Sequence, residues 1–213
     1  MMQAKIRQDE IRAPKQDRSR KRVDQILDAA KTIIAEKGSA GLTIIEIAEV
    51  AGITAGSMYQ YFPNKAAIIC ALAERHLEAF RQKVEARLRT PPTDPRDVAD
   101  FLASLIEDYY QTNIEDPVAR DIWKGVAADK SLYDLANAEA ETNVALLVAV
   151  AAPLLPAAQH AQMARTLRLL YHFADIAIRV ALDSHADEGR AVIEQAKKML
   201  RLMWLSEVSA GAD

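Results

Sequence analysis

The chain has 213 residues, of which half are apolar and 27% are charged, a composition that excludes a largely disordered chain. Its 7 glycines and 8 prolines are too few for the turns of an all-β sandwich, and its single cysteine, Cys70, excludes an internal disulfide. The net charge of −3 hides an asymmetry, because basic residues are concentrated before residue 23 and acidic residues prevail after residue 75. A basic segment on an acidic body can bind a polyanion or can be a solvated tail, and charge alone leaves both open.

Two further features bear on location. The longest apolar run, residues 144–155, contains Pro153 and is shorter than the ~20 residues of a membrane-spanning helix. The amino end has no apolar stretch of the kind that a secretory signal requires. We therefore expect a cytoplasmic protein with no membrane partner.

Apolar residues recur at helical spacing along the whole chain, and no segment shows the alternation of a strand. Together with start and stop signals, this pattern predicts an all-α fold of about nine helices. They are expected over residues 23–37, 43–51 and 54–62, from Asn64 to about residue 88, from Pro95, from Pro117, and over about 131–152, 160–182 and 187–206.

Capping signals mark the helix ends near the amino terminus. Thr43 and Glu46 form a capping box, and Thr54 and Asn64 are suited to cap the next two helices. Gly38 stands where a left-handed residue commonly ends a helix. The second and third helices, about residues 43–62, follow each other closely and are typical of a helix-turn-helix, whose second helix enters the DNA major groove.

The facing of the third helix follows from a turn of about 100° per residue. With Met58 inward, the inner half also holds Phe62, Ala55, Thr54 and Tyr61. Gly56 and Gln60 point outward, and Ser57 and Tyr59 lie on the flanks. The outward face carries no carboxylate, so it can approach phosphates and base edges without repulsion. Lys65, in the first turn of the next helix, can meet a phosphate there or can be merely solvated.

The run from Ala48 to Lys65, AEVAGITAGSMYQYFPNK, closely resembles the signature of the TetR family of one-component bacterial repressors. The segments 26–30 and 36–38 are similar to that family's first helix, so the resemblance covers about residues 19–70. It implies contacts to DNA phosphates from Thr43, Thr54, Tyr59 and Lys65. It also implies that Ala55, Gly56, Ser57, Gln60 and Tyr61 face the groove, although the first two have almost no reach.

The expected organisation is a flexible basic arm over residues 1–18, a three-helix DNA-binding domain over 19–66, and a helical ligand-binding and dimerisation domain over 67–213. The expected function is a ligand-responsive repressor that binds a palindromic operator on double-stranded DNA as a homodimer. A small hydrophobic or aromatic effector, neutral or weakly acidic, is expected to release it. The alternatives are a helical interaction module that does not bind DNA, and a small helical enzyme.

An enzyme is the weaker alternative. No histidine has a glutamate three residues earlier, no His-x-x-x-His pair exists, and no glycine-rich phosphate loop is present. We therefore expect no catalytic residue, no metal and no cofactor.

Two sets of residues are expected in the carboxyl-terminal domain. Polar or aromatic residues on apolar helix faces suit a ligand pocket, or ordinary core with a polar rim; they are Phe101, Tyr109, Tyr110, Trp123, Asn137, Asn143, His172 and Asp175. The last two helices carry more apolar residues than a monomer can bury, and the family resemblance implies that they form the dimer interface. Its predicted members are Leu167, Leu170, Tyr171, Ala174, Ile178, Val192, Met199, Leu202 and Met203.

Overall fold

The computed structural model describes residues 6–124 and 130–210, so residues 1–5 of the predicted arm lie outside it. Over the described residues the fold is all-α, with nine α-helices and no strand, as predicted. The helices are α1 (Ile6–Lys37), α2 (Ile44–Val50), α3 (Ala55–Met58), α4 (Lys65–Arg87), α5 (Val98–Glu115), α6 (Pro117–Lys124), α7 (Lys130–Ala151), α8 (His160–Asp183) and α9 (Ala186–Ala210).

The predicted caps are present. The Thr43 hydroxyl accepts a hydrogen bond from the backbone N–H of Glu46 at 3.3 Å, and the Thr54 hydroxyl accepts one from Ser57 at 3.2 Å. The Asn64 side chain caps α4 by accepting from the N–H of Ala67 at 2.9 Å. These bonds satisfy backbone donors that a helix start otherwise leaves unpaired, so three helix starts are determined locally. Gly38 ends α1 with φ of 79°, the left-handed conformation that glycine adopts without strain.

Four helix boundaries differ from the predictions by three residues or more, and one of them is the end of α9, at Ala210 rather than at residue 206. Helix α1 begins at Ile6 rather than at residue 23, so it includes residues 6–18, which were assigned to a basic arm. This stretch is rich in Arg, Lys, Gln and Glu, which favour helix without producing an apolar stripe. The prediction relied on apolar spacing and therefore placed the helix start too late.

The other two differences come from turns. Helix α3 ends at Met58, because the N–H groups of Gln60 and Tyr61 bond to carbonyls three residues earlier, which tightens the chain into a turn. Helix α5 begins at Val98, because Asp94 first closes a turn by accepting from the N–H of Arg96 at 2.8 Å. Helix α3 therefore ends four residues before the predicted residue 62, and α5 begins three residues after the predicted start at Pro95.

The described residues form two compact units. The first consists of residues 6–74 and 118–124, so it contains α1, α2, α3, the start of α4 and most of α6. Its buried apolar side chains come from all of these helices; they include Ile26, Leu27, Ile33, Ile34, Ile47, Met58, Ile68, Leu72 and Ile122. Periodicity alone had placed the α6 segment in the carboxyl-terminal domain.

The second unit consists of residues 75–117 and 130–210. Helix α9 packs against α5 and α8 there, and α7 packs against α8. Trp204 of α9 is completely buried, and its indole N–H donates a 2.7 Å hydrogen bond to the carbonyl of Pro95. At Gly189 a Cβ atom would lie 2.5 Å from the carbonyl oxygen of Ala181, so only glycine permits this close approach of α9 to the end of α8.

One segment of the described chain, Lys130–Leu154, is long and apolar enough to cross a membrane, with a mean hydropathy of 1.2. It comprises α7 and the turn that follows. Two of its glutamates form ion pairs, Glu139 with Arg81 at 3.0 Å and Glu141 with Arg168. Helices of soluble bundles meet the same criterion, so length and composition alone do not argue for a membrane location.

Candidate nucleic-acid interface and apolar cavity

Helix α3 and the turn after it present a polar surface. Met58 is completely buried, as predicted, and anchors this short helix in the first unit. Gly56 and Gln60 are exposed, as is Tyr59, whose side chain is 58% exposed. Small and hydrogen-bonding groups therefore face outward together, without a carboxylate among them, which suits contact with a phosphate backbone and base edges.

The predicted facing is wrong for Thr54 and Ala55, which are exposed rather than inward. Thr54 is the N-cap and has extended backbone angles, with ψ of 149°, so the rotation of 100° per residue does not apply to it. Its hydroxyl lies 2.9 Å from that of Ser57, and the two groups are joined by a hydrogen bond. Both hydroxyls still border the outward surface.

A shallow depression of about 520 Å³ lies beside this surface. Ser57, Gln60 and Tyr61 contribute to its wall, together with Arg22 of α1 and Glu49 of α2. The sequence offered no signal for Arg22 or Glu49 as site residues, since only the packing of α1 and α2 brings them next to α3. The depression thus places a guanidinium and a carboxylate at the edge of the surface formed by residues 54–61, the candidate reading surface for DNA.

Thr43 and Lys65 are both engaged within the first unit. The Thr43 hydroxyl donates to Oε2 of Glu46 at 2.8 Å, and Lys37 pairs with the other oxygen of that carboxylate. The hydrogen bonds from Lys37 and then from Thr43 lower the pKa of Glu46, which keeps the carboxylate ionised. Lys65 Nζ donates to the carbonyl oxygen of Ala40 at 2.9 Å, so this ammonium is positioned by the turn that follows α1.

The second unit contains a partly open cavity of about 80 Å³. Its wall is formed by α4, α5, α7, α8 and α9 and is predominantly apolar. The lining side chains are Leu77, Phe80, Val84, Leu102, Leu105, Ile106, Tyr109, Asn143, Leu146, Leu147, Leu170, Tyr171, Ala174, Asp175, Ile178 and Leu200.

Three of the predicted pocket residues, Tyr109, Asn143 and Asp175, line this cavity. They form its polar end together with Tyr171, which was predicted at the dimer interface. The Asn143 amide donates to the Tyr171 hydroxyl at 3.4 Å. The structure thus brings together residues from α5, α7 and α8 that are separated by up to 66 positions in the chain.

The other five predicted pocket residues do not line the cavity. Asn137 and His172 are exposed, because each falls on the outer face of its helix. Tyr110 is buried elsewhere, with the Arg190 guanidinium 5.7 Å from the centre of its ring. Phe101 packs partly buried against the main core, and Trp123 belongs to the first unit. Neighbouring residues on a helix point about 100° apart, so identity alone did not distinguish Tyr109 from Tyr110.

The predicted dimer residues divide into two groups. Leu167, Leu170 and Ile178 are at most 2% exposed inside the second unit, so the prediction that they reach a partner is wrong. Tyr171, Ala174 and Val192 are partly buried; the first two line the cavity and the third packs against the core. Met199, Leu202 and Met203 are exposed and remain candidates.

Several exposed apolar side chains on α8 were missed. Leu169, Ile176 and Val180 are 65%, 60% and 51% exposed. They recur at spacings of seven and four residues, which places them on one face of α8. On α9, Leu205 is also exposed and was likewise not predicted. Sequence reasoning selected the apolar stripe of each helix but did not distinguish the side facing the core from the side facing outward.

No group of three or more His, Cys, Asp or Glu side chains is placed to hold a metal ion in the part of the chain that the structure describes. Cys70 is partly buried on α4. The geometry therefore offers a surface for polyanion contact and a partly open apolar cavity as the two candidate sites.

In comparisons with known proteins, two family models match two different parts of this chain. Residues 26–72 match a family model described as bacterial regulatory proteins, tetR family. Residues 96–207, more than half of the chain, match a second model described as the tetracyclin repressor-like C-terminal domain. The first match covers the candidate reading surface, and the second covers most of the helices that line the cavity.

Similar proteins support the same grouping. The transcriptional repressor NicS of Pseudomonas putida is 26% identical over 207 residues, which cover 93% of this chain and 92% of NicS. The repressor KstR2 of Rhodococcus jostii is 40% identical over 87 residues, 41% of each chain. A TetR-family regulator from Streptomyces coelicolor superposes with a TM-score of 0.65 and 26% identity, over 88% of this chain and 99% of that one.

Proposed function

Because the chain belongs to the TetR family of transcriptional regulators, we propose that it is a repressor that binds a two-fold symmetric operator as a homodimer and is released by a small-molecule effector. The family consists of regulators, not enzymes, with a helix-turn-helix for DNA and a domain for ligands. The name of NicS, a repressor similar to this chain over nearly its full length, supports the assignment as a repressor.

The observation that carries this proposal is the exposed segment from Thr54 to Tyr61. It presents the exposed Tyr59 and Gln60 in the turn after α3 and the half-buried Ser57 on α3, which Met58 anchors, while Lys65 is positioned by its bond to a backbone carbonyl. Hydroxyl and amide groups contact both phosphates and base edges, and a lysine contacts phosphates. In this proposal Gln60 reads a base, and Tyr59 and Lys65 position the helix on the backbone.

The exposed apolar face of α8 and α9 supports dimerisation. Ile176 and Leu202 are each 60% exposed, and Leu169, Val180 and Met203 are at least 45% exposed. Covering such side chains removes apolar surface from water, which contributes about 25 cal/mol for each Å². A two-fold interface between copies of these helices would cover the same face on both chains.

Helix α4 supplies the coupling between effector and DNA. It begins at Lys65, and further along the same helix Leu77, Phe80 and Val84 line the cavity. A cavity of about 80 Å³ is smaller than the ~150 Å³ that holds a benzene molecule, so an aromatic effector must displace wall side chains. Because three of these side chains belong to α4, their displacement is expected to shift α4 and with it the first turn that carries Lys65. An effector that binds a hundredfold more tightly to one position of α4 than to the other shifts the equilibrium between them by about 2.7 kcal/mol.

The test is selection of duplexes from a random-sequence pool, followed by sedimentation of the protein free and bound. We expect selected sites with dyad symmetry, half-sites about one DNA turn apart, and a dimer in both states. Selected sequences without dyad symmetry, or a monomer that binds DNA without association, would contradict the dimeric repressor. An absence of any enriched sequence would contradict specific DNA binding by this chain.

A further inference from the structure

The polar end of the cavity has a definite sign of charge. Of the sixteen lining residues, Asp175 is the one that carries a charge, and no Lys, Arg or His lies among them. The other polar groups at this end are the phenols of Tyr109 and Tyr171 and the amide of Asn143. A ligand that enters the cavity therefore meets a carboxylate and no cationic side chain in the wall.

Asp175 forms an ion pair with Arg179, and the Asp175 carboxylate is the member that lies at the cavity. Arg179 lies one turn further along α8, and both of its hydrogen bonds to this carboxylate go to Oδ2. Within the described part of the chain, Oδ1 accepts no hydrogen bond. The Arg179 side chain is 63% exposed and that of Asp175 only 30%, so the guanidinium is solvated while the carboxylate borders the cavity.

A second ion pair behind the cavity has the same orientation. Glu139 is 10% exposed and pairs at 3.0 Å with Arg81, which is 40% exposed. The Glu139 carboxylate also accepts from the amide of Asn143 at 3.5 Å, which connects it to the lining. Two carboxylates are thus the inner members, and two guanidinium groups the outer members, of ion pairs at one end of the cavity.

The pKa values of Tyr109 and Tyr171 are affected by the carboxylates at this end of the cavity. Burial raises the pKa of Tyr109, and the Asp175 carboxylate raises it further, whereas Arg179 lowers it by less. Burial also raises the pKa of Tyr171, against the hydrogen bond from Asn143, and the carboxylates of Asp175 and Glu139 add to the rise. At Tyr109 the Asp175 carboxylate thus outweighs the Arg179 guanidinium, and both phenols stay protonated at neutral pH.

We propose that this cavity takes an apolar molecule bearing one protonated amine, and that Asp175 accepts a hydrogen bond from that amine. The proposal deepens the function proposed above, since it rests on the cavity being the effector site. It differs from the sequence-based expectation of a neutral or weakly acidic effector, because that expectation had no information on which charged groups border the cavity.

The same arrangement disfavours a carboxylic acid. An anion at the polar end would lie beside the Asp175 carboxylate with no cationic side chain in the lining to pair with it, and a buried charge without a partner is costly. A protonated amine instead gains a charge-assisted hydrogen bond and can approach the electron-rich faces of aromatic rings. Phe80 and Tyr109, whose ring centres are 4.7 Å apart, provide such faces in the wall.

Three probes of matched shape test the proposal: 2-phenylethylamine, 2-phenylethanol and phenylacetate, titrated calorimetrically into the full chain. We expect the amine to bind tightest and the acid weakest, with the amine at least about tenfold tighter than the acid. Asp175→Asn should weaken the amine about tenfold and leave the alcohol unchanged. Asp134→Asn is the matched control, because Asp134 also pairs with a cation four residues away but is exposed and does not line the cavity.

Phenylacetate binding as tightly as the amine would overturn the proposal, as would the binding of none of the three probes. An equal effect of Asp175→Asn and Asp134→Asn on the amine would also overturn it. The order of the probes on the unsubstituted protein needs no variant, so a variant that fails to fold leaves the test intact. DNA affinity measured without probes separates the two proposals: DNA binding with an acid preference contradicts only the ligand class, whereas an amine preference without DNA binding contradicts only the repressor.

Discussion

The backbone N–H of Ser39 donates a 2.7 Å hydrogen bond to Oδ2 of Asp121, which lies 82 residues further along the chain. Ser39 begins the turn between α1 and α2, and Asp121 lies on α6. Both residues belong to the first unit, so a helix that follows α5 in sequence helps to hold the turn that precedes the helix-turn-helix. Lys65 contacts the same turn at the carbonyl of Ala40.

Asp121→Ala should loosen this turn, because the N–H of Ser39 loses a charged acceptor in a partly buried place. We expect a cost of about 1–2 kcal/mol, seen as faster amide hydrogen exchange at residues 39–42. Glu85→Ala, which removes an exposed carboxylate from α4, should leave these amides unchanged. Unchanged protection at Ser39 in the Asp121 variant would show that the bond contributes nothing to the turn.

Lys65→Ala should weaken binding to every duplex, since a phosphate contact carries no sequence information. The slope of log affinity against log salt concentration should decrease in magnitude by about one, whereas Lys65→Arg should leave this slope unchanged. Fluorescence anisotropy across a series of salt concentrations provides the measurement. Lys130→Ala, at an exposed lysine of the second unit, serves as control. If the slope is the same for Lys65→Ala and the unsubstituted protein, Lys65 only holds the turn.

Gln60→Ala should relax sequence preference at one base pair in each half-site without abolishing binding. A side-chain amide discriminates between bases by about 1–3 kcal/mol when both of its hydrogen bonds reach a base edge. Repeating the operator selection with this variant measures the change, and Gln82→Ala on α4 is the matched control. Selected sites identical to those of the unsubstituted protein would exclude Gln60 from base reading.

Leu202→Glu should produce a monomer, because it places a charge on the exposed apolar face of α9. The same substitution at Ile176 of α8 should act alike, since both side chains are 60% exposed. Ile114→Glu is the control, at an isoleucine that is 47% exposed but lies on α5. Sedimentation velocity distinguishes the forms. A Leu202 variant that remains dimeric would place the interface on another surface.

The lowered pKa of Glu107 predicts that this carboxylate stabilises the fold near neutral pH and that the stabilisation is lost in acid. Partial burial alone would raise its pKa, but hydrogen bonds from Arg190, Gln111 and Lys197 outweigh burial and lower the pKa to about 2. Because the folded pKa is depressed, the stabilisation is complete above the usual value near 4.5 and is lost as pH falls from there towards 2.

Glu107→Gln should therefore lower the melting temperature at pH 7 by roughly 2–4 °C, about 1 kcal/mol after allowance for solvent screening. The difference from the unsubstituted protein should shrink as the pH is lowered through 4. Thermal unfolding followed by circular dichroism at a series of pH values measures both effects. A difference that stays constant with pH would mean that the charge of Glu107 does not contribute.

The sequence by itself determined the features that depend on a few consecutive residues. Thr43, Thr54 and Asn64 cap helices because each side chain reaches an N–H three residues later, a distance that local geometry sets. Gly38 ends a helix because its backbone adopts a positive φ without strain. The helix count and the inward position of Met58 follow from such local signals and from apolar spacing, and the family follows from the resemblance of residues 48–65 to its signature.

Only the tertiary structure decided which side of each helix faces the core, the cavity or the outside. Leu170 and Leu202 are both apolar residues on the last two helices, yet one is 1% exposed and the other 60%. Tyr109 lines the cavity while Tyr110 does not. Burial is set by contacts between residues far apart in the chain, such as Ser39 with Asp121, and the spacing of apolar residues along one helix contains no information about its neighbours.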